Sequence, residues 1–67
     1  MKLTINGEIR EFPDTLQTLP EVLHALGVPV QALLIEHNGV ALHRSEWDGR
    51  PVKEGDRLEL LRIAAGG

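Results

Sequence analysis

Two Asn-Gly dipeptides, Asn6-Gly7 and Asn38-Gly39, constrain this chain more than any other feature. Each supplies two consecutive residues that tolerate positive φ, the backbone condition for a tight two-residue hairpin. Ahead of the first, Leu3 and Ile5 alternate with Lys2 and Thr4, the period of a half-buried strand, so Lys2–Ile5 is predicted to fold back on residues 8–12. The second lies between the apolar Leu33-Leu34-Ile35 and the short run Val40-Ala41-Leu42, and predicts a second hairpin or tight loop.

Between these turns the period changes. Pro13-Asp14 ends the second strand, and Thr18-Leu19-Pro20-Glu21 reads as a capping box, with Thr18 as N-cap, Glu21 three residues on and proline in the tolerated first turn. Leu19, Val22, Leu23 and Leu26 then form one apolar stripe, with Glu21 and His24 off it, until Gly27 and Pro29 stop the helix. Ser45-Glu46-Trp47 suggests a helical turn, whose tryptophan reads as a lid on a small core. Glu54-Gly55-Asp56 turns the chain into a last strand, residues 57–63, with Leu58 and Leu60 on one side and Leu61 and Ile63 on the other. One side must meet the helix. The other either exposes Leu61 and Ile63 as a docking patch or packs beneath the loop around Trp47. A helix linking the first hairpin to later strands crosses the sheet right-handedly, which lets the last strand lie parallel beside the first. The expected fold is α+β, a β-grasp (ubiquitin-like) domain over residues 1–63. It has a mixed sheet of four to five strands, one main helix on one face, and a flexible tail at 64–67.

Size and composition exclude much else. A domain of 67 residues buries only about 60% of the surface of its unfolded chain, leaving little room for an internal active site. With no cysteine there is no disulfide, no thiolate nucleophile and no cysteine-based metal site. His24, His37 and His43 lack the spacing that puts two imidazoles on one face, and read as ordinary surface histidines, so no metal is expected. The formal charge of -3, with Arg10, Arg44, Arg50, Arg57 and Arg62 scattered among acids, argues against nucleic acid as a ligand. The alternating amino terminus is unlike a signal peptide, and nowhere do eighteen apolar residues run together, so no membrane span is expected and a cytoplasmic location is.

Gly66-Gly67 ends the sequence with a sterically bare carboxylate. Glycine has no Cβ to obstruct approach to its carbonyl carbon, so such a pair can thread a narrow slot in a partner; the plainer alternative is a frayed end. Four residues beyond Ile63, fully extended, would reach roughly 13 to 14 Å, and Ala64 and Ala65 keep that reach slim.

Asn38-Gly39, Arg44-Ser45-Glu46-Trp47, Lys53-Glu54-Gly55-Asp56-Arg57-Leu58-Glu59 and Gly66-Gly67 resemble, in order and spacing, the ThiS family of thiamine-biosynthesis sulfur carriers. Many relatives carry valine or a third glycine where this chain has Ala64-Ala65. The resemblance implies a carrier with no catalytic residues of its own. Gly67 would be the site of covalent attachment, first as an acyl-adenylate and then as a thiocarboxylate. Gly66, Ala65 and Ala64 would enter a partner's active site. The implied partners are a ubiquitin-activator-like adenylyltransferase using ATP and magnesium, a persulfide sulfur donor and thiazole synthase. The chain itself has no GxxxxGK[ST] loop, so it is expected to bind no cofactor. Molybdopterin synthesis, tRNA thiolation and ubiquitin-like modification of lysines use the same activated terminus. The small subunit of molybdopterin synthase, however, typically has a Pro-Pro segment that is missing here.

Overall fold

The computed structural model describes residues 1–63, so the predicted tail at 64–67 lies outside the described residues. The elements follow in the order β1 (Lys2–Ile5), β2 (Glu8–Glu11), α1 (Leu19–Leu26), β3 (Leu33–His37), β4 (Val40–Ala41), a 3-10 turn (Arg44–Glu46) and β5 (Arg57–Arg62). They build one five-stranded sheet in the order β2-β1-β5-β3-β4. The central pair, β1 with β5, is parallel, and every other pair is antiparallel. This is the β-grasp topology expected from the order of elements.

Both Asn-Gly turns behave as their chemistry requires: Asn6 and Gly7 sit at φ 50° and 85°, Asn38 and Gly39 at 51° and 84°. The helix begins at Thr18, where the Glu21 carboxylate accepts hydrogen bonds from the Thr18 N–H at 3.0 Å and the Thr18 hydroxyl at 2.9 Å. Gly27 closes it in the left-handed conformation, its N–H donating to the carbonyls of Leu23 and His24. Leu19, Val22 and Leu23 are buried on the helix stripe, with Leu26 packed at its margin. They meet Leu3 and Ile5 of β1, Leu33 and Ile35 of β3 and Leu58 of β5 in one core. Trp47 closes that core as a lid, and the Arg44 guanidinium lies 4.2 Å from its ring centroid while donating to the Val30 carbonyl.

Boundaries shift by a residue in four places. Phe12 lies beyond β2 but is buried in the core, the helical turn spans Arg44–Glu46 instead of Ser45–Trp47, and Leu42 leaves β4 to enter the core. Ile63 follows β5, yet its N–H still donates to the Ala32 carbonyl at 2.8 Å.

Candidate functional site

Because α1 covers one face of the sheet, the alternation of each strand assigns the other face. On β5, Leu58 is fully buried while Leu61 is 64% exposed, and beyond the strand Ile63 is 51% exposed. On β3, Leu33 and Ile35 are buried while Leu34 is 49% exposed. The register puts Leu34 directly opposite Leu61 and Glu36 directly opposite Glu59. An open groove of about 590 Å³ runs over this pairing, lined by Leu34, Glu36, Ala41, Glu59 and Leu61, with Asn6 at its end.

The last strand is held at two points by the turn asparagines. Beyond β1, the Asn6 side chain accepts from the Leu60 N–H at 2.7 Å and donates to the Leu60 carbonyl at 3.2 Å, so a side-chain amide continues the parallel ladder. At the start of β5, the Asn38 side chain accepts from the Arg57 N–H at 2.8 Å and donates to Asp56 at 3.1 Å. The strand that runs on toward residues 64–67 is thus tied to the two turns at Arg57 and at Leu60.

One buried polar cluster lies outside the open face. His37 Nε2 is 2.8 Å from an Asp56 oxygen, and its Nδ1 accepts from Arg50 Nε at 2.9 Å. The arginine can only donate, so the neutral ring carries its proton on Nε2 and gives it to Asp56. Both ring nitrogens are occupied, which makes the cluster a clamp among β3, the loop at Arg50 and the turn before β5. Burial pushes the Asp56 carboxyl up, but hydrogen bonds from Asn38, His37 and the Lys53 N–H together hold it below the ordinary carboxylate range. His24 and His43 are exposed as expected, whereas His37 is 7% exposed and is no surface residue. The expectation fails there because His37 falls on the core-facing side of β3. Among the described residues no group of His, Cys, Asp or Glu could hold a metal ion, and no helix is long and apolar enough to cross a membrane.

Of the two arrangements open for Leu61 and Ile63, the structure adopts the exposed one; Trp47 instead packs into the core on the helix side. Ala64, Ala65, Gly66 and Gly67 lie outside the described residues. Leu34, Glu36 and Glu59 share the face with Leu61 but had escaped sequence reasoning. Leu34 sits inside an unbroken apolar run, and the pairing of the two glutamates depends on a register between distant strands.

A five-stranded mixed sheet grasping one helix, a parallel central pair and an open apolar face at the last strand define a small ubiquitin-like β-grasp protein. Residues 3–67 match the model of the ThiS family. A crystal structure of the thiamine biosynthesis protein ThiS from Geobacter metallireducens superposes with a TM-score of 0.83 at 36% identity, with both chains fully covered. The sulfur carrier protein ThiS of Thermus thermophilus is 33% identical over 63 residues, 94% of this chain and 95% of that protein. A thiazole synthase of Paramagnetospirillum magneticum is 36% identical over all 67 residues, which span only 20% of that relative's length. The chain belongs to the ThiS family.

Proposed function

We propose that this chain is a sulfur carrier of thiamine biosynthesis, loaded at the carboxylate of Gly67. The observation that carries the reading is the match to the ThiS family, which runs to the terminal glycine and so takes in the whole domain and the Gly-Gly pair. A carboxylate is a poor electrophile until one oxygen becomes a good leaving group. A ubiquitin-activator-like partner supplies that activation with ATP and magnesium, giving an acyl-adenylate. The terminal sulfur of a persulfide donor then attacks the carbonyl carbon and expels AMP, and a thiol cleaves the S–S bond of the resulting acyl disulfide, ending in a disulfide with the donor's sulfur and leaving the thiocarboxylate. The resulting thiocarboxylate delivers sulfur to thiazole synthase, a partner supported by the relative of that name whose sequence includes a stretch like this chain. Gly66, Ala65 and Ala64 form the slim segment that lets Gly67 enter each partner, while Leu61 and Ile63 on the open face dock the body.

Nothing in this cycle asks the chain to catalyse. It positions one carboxylate and is consumed and regenerated as a covalent co-substrate, a role in keeping with a cytoplasmic location beside its partners.

The test is to incubate the protein with its adenylating partner, ATP, magnesium and a sulfur donor, then to weigh the C-terminal peptide. The expected product is heavier by one oxygen-to-sulfur exchange, and deletion of Gly67 abolishes it while leaving the thermal unfolding curve of the domain in place. An unmodified terminus under these conditions, or conversion instead into lysine-linked adducts, overturns the reading.

A further inference from the structure

We propose that the paired carboxylates of Glu36 and Glu59 form a receptor for a cationic side chain, arginine or lysine, presented by the apolar docking surface of the adenylating partner. This rests on the carrier reading above. The two residues are directly opposite across the β3–β5 ladder and both on the open face. Side chains so placed have Cβ atoms about 4.5 to 5.5 Å apart, and like charges there destabilise a sheet. Neither carboxylate is in an ion pair among the described residues, whose two ion pairs join Met1 to Asp14 and His37 to Asp56. Arg57, two residues from Glu59 on the same strand face, pairs with neither.

The surroundings define what relieves the repulsion. Leu34 and Leu61 pair on one side of the acids and Ala41 lies on the other, across from Glu36, so the groove offers apolar walls to an aliphatic stem and two anionic oxygen pairs to its head. A second copy of this chain cannot use the face in that way, because it would bring acid pair against acid pair. The acid pair likewise repels the phosphates of nucleic acid and of anionic lipid. The groove also takes in Leu61 on the strand that leads into Gly66-Gly67, so a partner seated here is placed to receive the terminus.

The double variant Glu36→Gln, Glu59→Gln separates a binding role from a structural one. With the purified adenylating partner, ATP–pyrophosphate exchange gives a KM for the carrier that should rise at least about tenfold, with kcat retained. The wild-type KM should climb with added salt and the variant's should not. The thermal midpoint of the isolated variant should be higher than that of the wild type, since the repulsion is gone. An unchanged KM, a KM shift without loss of salt dependence, or a lowered thermal midpoint overturns the proposal while leaving the carrier reading in place. Wild-type protein that is never adenylated overturns both.

Discussion

Asparagine at positions 6 and 38 does two jobs that glycine alone could not. Its backbone accepts positive φ, and its side chain reaches a third strand, so each hairpin turn also secures β5. Asp56 is the counterpart on the buried side, where its hydrogen bonds outweigh burial and keep its carboxyl below the ordinary range. A folded value below the unfolded one gives stability that is complete above the unfolded value and is lost as pH falls through the folded one, that is below about pH 4. Asp14, paired with the amino-terminal ammonium, and Glu21, bonded to Thr18, are lowered too and leave a background slope. Urea midpoints followed down through that range should therefore fall less steeply for Asp56→Asn than for the wild type. Equal slopes would show that the cluster does not hold the carboxylate form. Ala32 is a different case, a non-glycine residue at φ 57° whose carbonyl accepts from Ile63 at the end of β5. The left-handed conformation costs an L-residue about 1 to 2 kcal/mol, of which glycine gives back about 0.5 to 1 in chain entropy. Ala32→Gly should then stabilise by up to about 1 kcal/mol in a denaturant titration, and a destabilised variant would refute that strain.

At the scale of the element, β5 is two surfaces on one strand. Leu58 is fully buried between β1 and β3, and Leu58→Ala should cost about 2 to 5 kcal/mol, enough to unfold much of a domain this small. Leu61, three residues on, looks outward. Leu61→Asp should change stability by no more than about 0.5 kcal/mol, yet weaken the docking that precedes adenylation. Thermal melts read beside the KM for the carrier distinguish the two residues. Collapse of the Leu61→Asp melt with an unchanged KM would make that residue core instead of contact. The β5 pattern was visible in sequence as leucines on both faces, with Leu61 and Ile63 on the side away from the helix, but whether that side lay open or was covered by the loop around Trp47 was not. Leu58-Glu59-Leu60-Leu61 alternates for three residues and then breaks, and a one-residue slip against β3 would have exchanged the two faces.

For the molecule as a whole, legibility followed the range of the interactions. The hairpins at Asn6-Gly7 and Asn38-Gly39, the helix from its Thr18 and Glu21 start to its Gly27 stop, and the apolar stripe between them were determined by the sequence alone. Each depends on dihedral preferences and hydrogen bonds among residues only a few positions apart. The order of those elements, with the motifs from Asn38 to Gly67, also carried the β-grasp topology and the family. Only the tertiary structure decided that Leu34 lies against Leu61, that Glu36 faces Glu59, and that His37 is clamped between Asp56 and Arg50. These pairings join strands and turns more than a dozen residues apart, where local propensity has no say. The register was chosen by burying Leu33, Ile35 and Leu58 beneath the helix, and the docking face is what that choice left outside.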